Sequence, residues 1–112
     1  MSFRLKWLPE AQTQYEAIIA AAGKIAPRAG RKSSKQAGLS KQVKKTLALL
    51  QRDPKHPGLH THPYHGYANP YEPGKPLWEA YVQNRTPGAY RVFWCYGPNR
   101  GELTIVAITP HP

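Results

Sequence analysis

Phe3, Leu5 and Trp7 alternate with Arg4 and Lys6, the period-two pattern of a short amphipathic strand. Pro9 follows where a helix has its first turn, with Glu10 beside it to suit the helix dipole. Ala11, Tyr15, Ile18, Ile19 and Ala22 then recur at helical spacing, and Gly23 is a natural stop. From Lys24 to Lys35 the pattern breaks into a basic loop. A second helix is expected to start near Ser33 or Ser34, both good caps, and to end at Asp53 before Pro54. Leu39, Val43, Leu47 and Leu50 form its apolar stripe, and Lys41, Lys44, Lys45 and Arg52 stay off it.

The second half reads as strands. Residues 59–64 fit a short strand that Pro63 confines to a sheet edge, and residues 68–76 read as a loop. Trp78, Ala80 and Val82 alternate with Glu79, Tyr81 and Gln83, and Arg85-Thr86-Pro87-Gly88 has the residues of a type II turn. Tyr90, Val92, Trp94 and Tyr96 alternate with Arg91, Phe93 and Cys95. Residues 103–109 are apolar on both faces, which predicts a central strand. The order β-α-α-β-β-β-β gives a single α+β domain over residues 1–112. Its two N-terminal helices should pack on one face of a small, mainly antiparallel sheet and leave the other face open.

Charge narrows the function. Lys and Arg number 16 against 6 Asp and Glu, a formal charge of +10, so the expected partner is polyanionic. A membrane surface would need a basic amphipathic helix with bulky apolar anchors opposite the charges; basic residues among aromatics suit nucleic acid better. The longest apolar stretch, residues 17–22, is too short to span a bilayer. The single Cys95 rules out a disulfide within the chain, so a reduced, cytoplasmic protein is expected. No glycine-rich nucleotide loop and no paired carboxylates for a two-metal site are present, so no cofactor is expected.

Ala89-Tyr90-Arg91-Val92-Phe93-Trp94, a short turn, and Leu103-Thr104-Ile105-Val106-Ala107-Ile108-Thr109-Pro110-His111 carry a resemblance to the RelE/ParE toxin family. The family shows an aromatic-Arg-aliphatic strand, a hairpin and a last strand leading into a His or a basic residue. The opening Phe3-Arg4-Leu5-Lys6-Trp7, followed by a helix with Glu10, Ala11 and Tyr15, is similar too, so the likeness covers nearly the whole chain. It implies the toxin of a type II toxin–antitoxin pair. Such a toxin forms a hetero-oligomer with an antitoxin and either cuts mRNA on the ribosome without a metal or, in the ParE branch, inhibits DNA gyrase with no nuclease chemistry. Arg91 matches the strand arginine that contacts the scissile phosphate, and His111 resembles a C-terminal histidine used as acid or base. Where some members place a glutamate before the third strand, this chain has His60, His62 and His65, and no carboxylate before Glu72.

Metal-free RNA cleavage needs a base for the 2′-hydroxyl, a cation for the phosphate and an acid for the leaving oxygen. Histidine suits the proton roles and arginine the phosphate. The candidate catalytic residues are therefore Arg91, His111, His60, His62 and Glu79. His60 and His62 should share one side of an edge strand, which also opens a metal reading with His65 or His111. Glu79 is either a base, a partner that orients a His, or half of an ordinary sheet ion pair. The candidate RNA-binding residues are Arg28, Arg31, Lys32, Lys41, Lys44, Lys45 and Lys55 for phosphates, and Tyr81 and Tyr96 for stacking on bases. A non-toxic nucleic-acid-binding relative is the remaining reading.

Overall fold

The computed structural model describes residues 2–23, 35–84 and 87–111. Strand β1 (Arg4–Trp7) leads through Leu8 into helix α1 (Pro9–Gly23), and helix α2 (Lys35–Arg52) follows. Four strands complete the chain: β2 (His62–Tyr64), β3 (Leu77–Tyr81), β4 (Tyr90–Tyr96) and β5 (Glu102–Pro110). They form one sheet in the order β1-β5-β4-β3-β2, antiparallel except where β1 runs parallel to β5. The β-α-α-β-β-β-β order and the central place of β5, between β1 and β4, are as the sequence predicts. The expected caps Ser33 and Ser34 and the turn residues Arg85 and Thr86 lie outside the described residues.

Both helices lie on one face of the sheet. Ala11 and Ile18 of α1 and Val43, Leu47 and Leu50 of α2 meet Ala80, Val92, Trp94, Leu103, Ile105 and Ile108 in a buried core. Removing this apolar surface from water, at roughly 25 cal/mol per Å², holds helices of this length in place. Two polar ties fix the helices against the sheet: Thr46 Oγ1 donates to the Tyr81 carbonyl at 3.2 Å, and the Ile108 N–H donates to Gln14 Oε1 at 2.7 Å.

The second face is not open along its whole length, which corrects the expectation. Leu77, Phe93, Cys95, Val106 and Ala107 form a second buried cluster there, covered by Tyr64, Tyr67 and Leu8. The rings of Tyr64 and Tyr67 pack 4.7 and 5.1 Å from Phe93. Further along the same face the Tyr71 and Thr104 hydroxyls lie 2.9 Å apart. The Thr104 hydroxyl itself donates to the Gly97 carbonyl, so the Tyr71 hydroxyl is the donor to Thr104. The tyrosines of this loop thus roof one end of the face and leave the end carrying Glu79 and Arg91.

A β-bulge sets which residues of β5 reach that end. Phe93 pairs with Ala107 and Trp94 with Ile105, so Val106 is the extra residue. Thr104 and Val106 share the second face with Cys95, and strict alternation from them would turn residue 111 toward the helices. One extra residue flips the phase. Thr109 then stands opposite Arg91, and His111 continues on the same face.

The edge strand is shorter than the sequence predicts. Residues 59–64 do not form one strand: Pro57–Leu59 make a 3-10 turn, and only His62–Tyr64 pair with β3. Pro57 suits the first turn position, His56 Nδ1 accepts the Gly58 N–H at 2.9 Å, and His60 closes the turn at φ +50. His60 therefore stands off the strand, and the expectation that it shares one side of a strand with His62 fails for this reason.

Candidate active site around Glu79

Glu79 stands on β3 opposite Phe93 of β4 and His62 of β2. Its side chain is only 1% exposed. A buried carboxylate requires partners. Glu79 Oε1 lies 2.9 Å from His62 Nε2. Glu79 Oε2 lies 2.6 Å from His111 Nδ1 and 3.4 Å from Arg91 Nε. The arginine contact is an ion pair without the alignment of a hydrogen bond, since Nε has no hydrogen-bond partner. Glu79 thus contacts two histidines and pairs with Arg91, as an orienting partner or a sheet ion pair would.

The two histidines differ in what remains free. His62 Nδ1 lies 2.9 Å from the His60 carbonyl, while its Nε2 faces Glu79. Both ring nitrogens of His62 are thus engaged by oxygen atoms. His111 directs only Nδ1 at Glu79; its Nε2 has no such partner and its side chain is 49% exposed. A carboxylate on Nδ1 fixes the tautomer with the free nitrogen at Nε2, ready to take or give a proton. His111 is also held by its main chain, whose N–H donates to the Ala89 carbonyl at 2.8 Å, so the C-terminal histidine is not a frayed end.

Arg91 is placed differently from the sequence expectation of a strand arginine reaching out to phosphate. It is 7% exposed. Its Nη1 donates to the carbonyls of Gln83 and Tyr90, and its guanidinium carbon sits 3.7 Å from the centre of the Tyr81 ring. Gln83, which the sequence reading left out of the site, anchors this corner, and its Oε1 also accepts the Tyr90 N–H. Tyr81 is not a free stacking platform. Its ring is shared by Arg91, by His60 at 5.2 Å and, edge-on, by His62 at 5.7 Å.

Four of the five catalytic candidates (Glu79, His62, His111 and Arg91) therefore meet directly, and His60 joins them through Tyr81. The basic candidates are less concentrated. Lys45 lines a hollow beside Tyr81, and Lys55 lines a larger cavity that includes His60. Lys41 and Lys44 are exposed on α2 and do not line the hollow beside Tyr81. Arg28, Arg31 and Lys32 lie outside the described residues. Tyr96 is exposed, next to Trp94 at 5.0 Å and Phe3 at 6.1 Å. Among the described residues no group of three or more His, Cys, Asp or Glu is arranged to hold a metal ion. The bound pairs Lys6–Glu102 and Lys75–Glu72 lie outside the Glu79 cluster.

Layer order and strand order define a small α+β fold with a histidine–carboxylate cluster on the sheet's second face, and solved structures share that fold. The chain superimposes on a YoeB/ParE toxin from Agrobacterium tumefaciens with a TM-score of 0.63 at 13% identity, over 97% of this chain and 99% of that one. The YoeB dimer of Staphylococcus aureus gives 0.59 at 9% identity over the full length of both chains. The archaeal RelE–RelB complex of Pyrococcus horikoshii gives 0.56 at 14% identity, over 98% of this chain and 96% of that one. The fold is that of the RelE/ParE toxins. No family model and no curated protein matches the sequence. Among the described residues no helix is long and apolar enough to cross a membrane.

Proposed function

We propose that this chain is the toxin of a toxin–antitoxin pair and cleaves mRNA, on the ribosome, by metal-free attack of a 2′-hydroxyl. The observation that supports this most is His111. Its Nδ1 lies 2.6 Å from a buried carboxylate, and its Nε2 is left toward solvent on the part of the sheet face that the tyrosine loop does not roof. In the reaction, His111 Nε2 takes the 2′-hydroxyl proton. The 2′-oxygen bonds to phosphorus, the P–O bond to the 5′-oxygen breaks, and an acid returns a proton to that oxygen. A 2′,3′-cyclic phosphate and a 5′-hydroxyl end result. His62, 42% exposed and bound to Glu79, faces the crowded phosphate. His60, exposed and stacked on Tyr81, is the second proton carrier. Arg91 and Glu79 position these groups rather than touch the substrate. An antitoxin partner follows from the same likeness to RelE in the RelE–RelB complex.

One observation favours the ParE-like alternative, a gyrase inhibitor without chemistry: the guanidinium of Arg91 is bound by two main-chain carbonyls and is not presented to a phosphate. Repressed expression of the wild type and of His111→Ala, with mapping of mRNA 5′ ends during growth arrest, separates the readings. Ribosome-phased new ends that vanish with His111→Ala support the nuclease. Arrest without new ends, together with loss of gyrase supercoiling, overturns it in favour of the inhibitor.

A further inference from the structure

A cavity of about 740 Å³ lies beside the Glu79 site and shares His60 with it. Its size is within the range of small-molecule sites. It opens between residues 54–61 and the helix-side face of the sheet, past the end of α2. Trp78 and Trp94, opposite one another on β3 and β4, form its floor with ring centres 6.3 Å apart. Tyr96 and Phe3 flank them, and Lys55 and His60 stand at its side.

The lining is of mixed character. Trp94 is 1% exposed, and its Nε1 is a buried donor with no hydrogen-bond partner. Thr61, also in the lining, has a buried hydroxyl in the same condition. Unmet buried polar atoms are uncommon in folded proteins and call for an explanation. Lastly, the lining holds a lysine and two histidines and no carboxylate; Asp53, next to it in sequence, turns its Oδ1 to the Lys55 N–H instead. An apolar protein segment would bring no anionic partner to Lys55 and the histidines, whereas a flat ring attached to an anion stacks on the exposed Tyr96 and places its charge on Lys55.

We propose that this cavity binds one unpaired RNA base, stacked against Tyr96 and the tryptophans, with its phosphate on Lys55. The inference rests on the reading of the chain as an RNA-cleaving toxin and extends it, giving the enzyme a subsite for a nucleotide flanking the cut. His60 is the link. Its ring lines the cavity and also stacks on Tyr81, which touches Arg91 and His62. His60 holds its place through the left-handed φ of +50, the only such value at a non-glycine among the described residues. That conformation is costly for a residue with a Cβ and clusters at functional sites.

The test is titration of the whole protein with a short 2′-O-methyl oligoribonucleotide, which cannot be cut, following tryptophan emission. Two of the three tryptophans lie in the cavity; the third, Trp7, is stacked on Tyr15 elsewhere. Quenching is expected, and Tyr96→Ala should weaken binding by about 5- to 150-fold, the span of one base stacked on one ring. This substitution is neutral, so general attraction to a basic protein cannot account for the loss, and Tyr96→Phe should restore binding. Lys55→Ala, at an exposed residue, gives a second reading if Tyr96→Ala is unstable; it should weaken binding and lower its salt dependence by about one phosphate. A ribonucleoside 5′-monophosphate that quenches alone would assign the cavity to free nucleotide as well as to RNA. Unchanged affinity in both variants, or quenching by an antitoxin peptide and not by RNA, overturns the inference. Cleavage is absent from this readout, so the cavity and the His111 reading fail or stand separately.

Discussion

Glu79→Gln is the most informative single change. The amide keeps the shape of the carboxylate and removes its charge. It also replaces one acceptor oxygen by a donating NH2, and every neighbour of Glu79 here is a donor: His62 Nε2, His111 Nδ1 and Arg91 Nε. Whichever way the amide sits, one N–H meets another, and Arg91 loses its counter-charge while only 7% exposed. Removing one partner of a buried ion pair costs about 3–5 kcal/mol. The two histidines are nearly half exposed, so water screens their share, which adds under about 1 kcal/mol each. Against a domain stability of about 5–15 kcal/mol, the variant remains folded but melts roughly 12–20 °C lower, at about 4 °C per kcal/mol. Loss of the histidine tautomer should reduce cleavage by roughly 10²–10⁴-fold, measured on a defined mRNA well below the melting midpoint. A Glu79→Gln protein that melts within about 1 kcal/mol of wild type and cuts at the wild-type rate would refute the whole account of the cluster.

Other outcomes follow from the same geometry. His111→Asn should lose activity by roughly 10²–10⁴-fold and change the melting midpoint little, because the ring is half exposed; differential scanning fluorimetry beside the cleavage assay checks both. Deleting Val106 removes the bulge but leaves Ala107 opposite Phe93 and Ile105 opposite Trp94, so His111 should stay on the Glu79 face and cleavage should persist in samples whose circular dichroism shows an intact sheet, whereas inserting one residue after Val106 should turn His111 to the helix side and abolish it. Burial, and secondarily the charge of Glu72, pushes the Cys95 thiol up to about 11. Its thiolate is therefore scarce at pH 8, and a thiol reagent should label native protein slowly and urea-unfolded protein fast. At Glu102 burial pushes the carboxyl up, but hydrogen bonds from Asn99 and the nearby Lys6 outweigh it and hold the group below the usual carboxylate range. A depressed carboxyl stabilises the fold above its unfolded-state pKa, and this contribution is lost as pH falls through the folded-state value. Glu102→Gln should flatten the acid limb of the urea midpoint plotted against pH.

The sequence carries the elements well and the site in part, for physical reasons. Period-two alternation and the Leu39, Val43, Leu47, Leu50 stripe report which side of an element is dry, and dry sides decide the layers. Alternation also placed Glu79, Tyr81 and Arg91 on the face away from the helices. It does not reveal the bulge at Val106, because a strand apolar on both faces reads the same in either phase. The alternation of residues 59–64 likewise concealed a turn whose determinants are local: Pro57, the His56 ring on the Gly58 N–H, and the left-handed His60. The tryptophan cavity was the least legible feature. Trp78 and Trp94 look like core from their spacing, and only the register of β3 on β4 makes them a pair at the end of α2.

The placement of charge ties these features together. The chain has 6 acidic residues against 16 basic ones, and the acidic residue at the centre of the candidate site is kept from meeting a polyanion. Glu79 is buried under two histidines and an arginine, and Glu102 is buried beside Lys6. Glu72 is bound to Lys75. A buried carboxylate still acts through its neighbours: it orients His111 and His62 and balances Arg91. The surface above it then presents histidines, the side-chain type suited both to proton exchange and to contact with phosphate. A lysine or an exposed arginine in those positions would bind RNA more tightly and have no proton to trade at physiological pH. On the proposed nuclease reading, this difference separates a proton-transfer site from a merely basic patch.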